Sequence, residues 1–152
     1  SKLDCNNALL HKISKNLLHG LQMIQNCAAD LISSKKKYDS VQPLLKKLHW
    51  LPVEYRIQYK INLLTFKCVH DLAPSYLIDL LEPYVPERSL RSCDQNLLKE
   101  KRSWTLAGEK AFSVCAPDLW NRLPHDLRII TELDHFKKAL KTHYFQTVFN
   151  HI

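Results

Sequence analysis

Two glycines, Gly20 and Gly108, serve a chain of 152 residues. Tight hairpins and phosphate-cradling loops both draw on the access of glycine to positive φ, so this scarcity argues against β-rich folds and nucleotide cradles. A mostly α fold is therefore the expectation, a bundle of about six helices in two small lobes. The length suits one compact domain or two lobes sharing a core. No run of eighteen apolar residues occurs, so no membrane-spanning helix is expected.

The apolar spacing sets out the elements. From Leu9 to Ile32, residues Leu10, Ile13, Leu17, Leu21, Ile24, Ala28 and Leu31 recur at helical steps as one apolar stripe. Gly20 within it marks a bend or break at a cost of about 1 kcal/mol relative to alanine. A short helix is expected from Pro43, carrying Leu44, Leu45 and Leu48, because proline at a first helical position forfeits no hydrogen bond. Pro52 repeats the device and opens the longest element, Val53 to Leu72, with Val53, Ile57, Ile61, Leu64, Cys68 and Leu72 facing inward. Pro74 starts a further short helix that ends near Leu81.

The pattern fails from Val85 to Trp104, where Arg88, Arg91, Lys99, Lys101 and Arg102 are interleaved with polar residues. This reads as a basic irregular linker or short hairpin. Helix resumes near Leu106, with Pro117 expected to interrupt it and Pro124 to close it. The last helix takes Thr131 as N-cap with Asp134 three residues on, and Leu133, Phe136, Leu140, Tyr144 and Val148 as its inner stripe. The expected organisation is a helical lobe over 1–84, a linker over 85–105 and a C-terminal helical lobe over 106–152.

Charge is uneven along the chain. Residues 1–67 hold 11 Lys/Arg against 4 Asp/Glu, residues 68–87 hold none against 4, and residues 88–152 hold 11 against 7, within an overall formal charge of +7. Such a basic surface favours phosphate backbones, although many lysines only keep a face solvated. The candidate contacts are Lys35, Lys36 and Lys37 with Lys46 and Lys47, then Arg56 and Lys60, then Lys99, Lys101 and Arg102. Trp50, Tyr55 and Tyr59 lie beside several of these, and bases stack on such rings; residues at this spacing also serve a core.

Catalytic patterns are missing. A two-metal polymerase or nuclease needs clustered carboxylates, and neither Asp-Asp nor Asp-x-Asp occurs. There is no Gly-x-Ser-x-Gly elbow, and no two of the five cysteines stand within four positions, so zinc-ribbon spacing is absent too. Scattered thiols read as reduced, which suits a nuclear or cytoplasmic compartment. No cofactor, catalytic site, metal site or small-molecule substrate is expected. The opening Ser1-Lys2-Leu3-Asp4 lacks both an initiator methionine and a signal-peptide pattern, and a fragment is expected.

Several segments in order resemble one family. Ser1 to Leu10 and Leu21 to Ala29 look like SRLDYCNSLL and LQxVQNxAAR, and Leu44 to Ile61 resembles LLxxLHWLPVxxRIxYKI. Ala73 to Leu77 and Arg88 to Ser92 match APSYL and RSLRS. Gly108 to Pro124 is similar to GxRAFSxxAPxLWNxLP, and Phe136 to His143 to FKxxLKTH. The family is the C-terminal end of the reverse transcriptase polyprotein of LINE-type, non-LTR retrotransposons, the jockey-like vertebrate elements. Two departures stand out: the tyrosine between Asp4 and Cys5 is deleted, and Asp30 replaces the usual arginine. Both suit a decaying copy or an adapted descendant.

The resemblance implies a parent that performs RNA-directed DNA synthesis, from which this chain lacks the endonuclease and the catalytic aspartates of the palm. Its thumb would hold an RNA or RNA–DNA template–primer by backbone contacts. The lysines and arginines named above would position nucleic acid, with Lys99, Lys101 and Arg102 in the connector. Two further readings belong to other classes: a helical protein-interaction module, docking the missing polymerase palm or a host factor, and a retroelement relic without function.

Overall fold

The computed structural model describes residues 10–33, 41–86 and 96–149. Among them run seven helices: α1 (Lys15–Ser33), α2 (Gln42–Lys47), α3 (Val53–Val69), α4 (Ser75–Ile78), α5 (Phe112–Asn121), α6 (His125–Arg128) and α7 (Leu133–Phe149). A 3-10 turn, Gly108–Lys110, precedes α5. The β-pairing among the described residues is a single antiparallel bridge between Pro83 and Leu98. The architecture is the expected all-α bundle. No helix among the described residues is long and apolar enough to cross a membrane.

Proline and the lack of glycine shape the helix ends. Pro52, Pro74 and Pro124 each stand at an N-cap in the extended conformation that their fixed φ allows. Their carbonyls accept the first helical bonds, from Arg56, Ile78 and Arg128. Pro124 therefore opens a helix, α6, where the sequence pattern marks only an ending. At the C-terminal ends the left-handed position that glycine usually fills is taken by His49 after α2, at φ 53°, and by Asp71 after α3, at φ 56°. Both ends close as Schellman motifs. Trp50 N–H bonds to Leu45 C=O at 2.9 Å and His49 N–H to Lys46 C=O at 3.1 Å; Leu72 and Asp71 make the same pair of bonds to Lys67 and Cys68.

Helix α3 lies at the centre, against α1, α5 and α7. Val53, Ile57, Ile61 and Cys68 are buried as their spacing indicates, and so are Asn62, Thr65 and Phe66, while Leu72 is exposed. On α7, Phe136, Leu140 and Tyr144 are buried. Phe66 stacks on Phe136 with ring centroids 4.2 Å apart, and the Asn62 amide donates to the Tyr144 hydroxyl at 2.6 Å inside this contact. The core runs across the expected lobe boundaries. One cluster joins Leu51 and Phe66, Leu98 from the expected linker, and Trp120, Leu123, Leu127, Phe136 and Leu140.

The expected basic linker is thus packed where it is described. The Trp120 indole donates to Asn96 C=O at 2.8 Å. The side chain of Asn121 acts as a surrogate strand, accepting from Leu98 N–H at 3.0 Å and donating to Leu98 C=O at 2.8 Å. Tyr84 N–H bonds to Leu97 C=O and Lys99 N–H to Glu82 C=O on the other side. The Trp-Asn pair of the LWN segment is a clamp on residues 96–98.

Three sequence expectations need correction. Helix α1 starts at Lys15 rather than Leu9 and passes Gly20 without a break. Its inner face is Leu18, Leu21, Gln25 and Ala29, whereas Leu17 is 65% exposed, Ile24 57% and Leu31 83%. Two glutamines explain the rotation: Gln22 accepts from Val53 N–H at 2.9 Å and Gln25 donates to Leu51 C=O at 2.8 Å, which turns them inward. Helix α5 continues through Pro117, which is fully buried. The bonds α5 makes on either side, and the burial of the ring, outweigh the bond that proline cannot donate. At the start of α7, Asp134 binds Lys137 at 2.8 Å, so the expected pairing with Thr131 is replaced by an i,i+3 ion pair.

Candidate nucleic-acid interface

The expected contact residues fall into four groups, the connector residues being the last. Lys35, Lys36 and Lys37 lie outside the described residues. Lys46 and Lys47 are exposed in the last turn of α2, where positive charge also suits the helix dipole. Arg56 and Lys60 stand one turn apart on α3.

Helix packing adds to the pair on α3. Arg56, Lys60 and Lys141, the last from α7, line one cavity of about 350 Å³. The cavity also presents three flat rings, those of His49, Trp50 and Tyr59, above Leu51. Its lining contains no carboxylate. Lys60 and Lys141 form no ion pair among the described residues. Burial pushes the Tyr59 phenol up, against the opposing pull of nearby Lys137, which is itself paired with Asp134.

Each element positions its part for a local reason. The Schellman turn after α2 throws His49 into the left-handed region and sends Trp50 back over the bundle. The His49 ring then rests near Phe145 of α7, with centroids 5.4 Å apart. Tyr55 meets Tyr144 edge-on at 5.8 Å, so that of the candidate rings Tyr55 serves packing. Tyr59 is half-buried against the central core and keeps a face in the cavity.

The connector residues behave differently. Lys99 and Lys101 both bind Glu82, at 3.0 and 2.9 Å, and together they hold its carboxyl below the usual range. Two lysines thus share one carboxylate at the surface, and the cluster keeps a net positive charge. Arg102 borders a larger cavity of about 590 Å³ with Lys101, Arg122 and the 96% exposed Trp104. Glu100, Glu109 and Asp118 share that lining, so its field is mixed.

Sequence reasoning found Arg56, Lys60, Trp50 and Tyr59 but missed Lys141 and His49. The signal for Lys141 was its place four residues after Lys137 beside the buried Phe136–Leu140 stripe. Among the described residues no group of three His, Cys, Asp or Glu side chains could hold a metal ion. The described cysteines are free thiols; burial pushes Cys115 up to about 11 and raises Cys68 as well, so neither is an activated nucleophile. Comparison with protein-family models, curated proteins and solved structures finds no match.

Proposed function

We propose that this chain is a non-catalytic, nucleic-acid-holding module, the C-terminal tail of a retrotransposon reverse transcriptase. The observation that carries the reading is the carboxylate-free cavity where Arg56 and Lys60 of α3 meet Lys141 of α7 beside three rings. Cations in a lining that holds no carboxylate attract a polyanion, and adjacent rings suit nucleic acid above other polyanions. The overall charge of +7 and the exposed Lys46 and Lys47 support it. The retroelement origin rests on the sequence resemblance, and RNA or an RNA–DNA duplex is the partner it implies.

A second reading has its own support. Leu17, Ile24 and Leu31 form an exposed apolar stripe along α1, which favours a helical docking module for another part of the parent protein.

Fluorescence anisotropy of a labelled hairpin RNA tests the first reading. If the chain neutralises about five phosphates, affinity falls roughly a hundredfold or more between ~50 and ~200 mM salt. Replacing Lys46, Lys47, Lys60 and Lys141 with glutamine flattens that salt dependence, by about one unit of slope per lost contact. A folded protein that binds no RNA at the lower salt refutes the first reading and leaves the second.

A further inference from the structure

We infer that the cavity between the α2–α3 turn and α7 receives one unpaired nucleotide of a bound RNA strand, its base against a ring and its phosphate among the cations. The inference rests on the nucleic-acid reading above and narrows it from backbone holding to capture of a flipped-out or terminal base.

Shape and chemistry agree on this occupant. A volume of about 350 Å³ is at the small end of ligand sites, too small for a duplex and suited to a single nucleotide. Its walls divide by chemistry: Trp50, Tyr59 and Leu51 are apolar surface, and Arg56, Lys60 and Lys141 are donors that can reach a phosphate. Rings and cations in one cavity are what unpaired bases use, because stacking needs a π face that is hidden inside a duplex. The larger cavity near Trp104 offers a contrast. It has a ring and cations too, but Lys12 and Arg122 are already paired there with Glu109 and Asp118, and Lys101 with Glu82. Lys60 and Lys141 are exposed, so they engage an anion without first breaking an internal pair.

The site also has a rigid frame. Arg56 and Lys60 lie on the central helix, and Lys141 lies three residues before Tyr144, which is tied to Asn62 of that same helix. The Schellman bonds fix His49 and Trp50 at the cavity rim.

The test uses two hairpin RNAs with the same stem, one blunt and one with a short 3′ overhang carrying 2-aminopurine. The overhang is expected to tighten binding about tenfold and to quench the 2-aminopurine by stacking. Tyr59→Leu removes that gain and the quenching. Lys60→Gln with Lys141→Gln, both at exposed positions, also removes the gain. Equal binding of the two RNAs by the wild type overturns the inference and leaves backbone holding intact. An overhang gain that survives both variants overturns it as well. Binding of the overhang RNA alone upholds the pocket against the duplex-holding reading, and binding of neither RNA sinks both.

Discussion

The bond between the Asn62 amide and the Tyr144 hydroxyl joins the two helices that carry the cationic cavity, and its removal has a calculable consequence. Asn62 is fully buried and Tyr144 nearly so, with donor and acceptor 2.6 Å apart. Asn62 Oδ1 has no partner, so this bond is the amide's whole compensation for leaving water. Tyr144→Phe deletes the acceptor and strands the amide, at a cost of about 1–3 kcal/mol. Asn62→Leu, which matches it in heavy-atom skeleton, strands the hydroxyl at a similar cost. The double variant removes both polar groups together and is expected to lie within about 1 kcal/mol of the wild type. The coupling energy is then at least about 1 kcal/mol and centrally about 3, beyond the near-additivity of independent sites. Urea unfolding followed by far-ultraviolet circular dichroism measures it. At a typical m-value near ~2 kcal/mol/M each single variant shifts the midpoint by about 1 M, and the double variant recovers most of that. A double variant as unstable as the sum of the two singles would refute the reasoning. The environment agrees with the assignment: burial pushes the Tyr144 phenol up to about 12, so its hydroxyl stays protonated throughout the assay range.

Two further outcomes follow from local structure. Gly20→Ala lies in the unbroken middle of α1, and the added methyl meets nothing within 4 Å; it is expected to stabilise by about 0.5–1 kcal/mol in the same unfolding assay. Acidification should destabilise the protein, because burial depresses His143, and burial with adjacent Lys12 depresses His11, below the ordinary 6.5. The unfolded chain then binds more protons, so stability is present above 6.5 and is lost as pH falls through the folded values. His143→Gln should flatten part of that decline in midpoints measured from pH 7 down to pH 5, and an unchanged slope would contradict it.

The local code of the chain was largely readable. Glycine scarcity excluded hairpins, prolines 52 and 74 marked helix starts, and the 3.6-residue period placed the inward faces of α3 and α7. These features depend on neighbours within a turn or two, which the sequence states outright. The fit was incomplete even there, since Asn62 and Thr65 widen the buried arc of α3 with polar residues that only a partner could satisfy.

Tertiary structure decided the rest, through partners distant in sequence. Apolar residues cover so much of α1 that its period allows more than one inner face. The bonds of Gln22 and Gln25 to the backbone at 53 and 51 selected the face with Leu18 and Ala29, leaving Leu17, Ile24 and Leu31 outside. The stretch from 96 to 98 reads as irregular until Trp120 and Asn121 supply its hydrogen bonds. The candidate site was half legible: Arg56, Lys60, Trp50 and Tyr59 are near one another in the chain, whereas Lys141 joins them only because α7 packs on α3. Lys99 and Lys101 look independent in the sequence, yet both pair with Glu82, seventeen residues before the first of them. Spacing along a chain reports which residues share a helix face; which charges meet, and which are spent on each other, depends on contacts that close only when the helices pack.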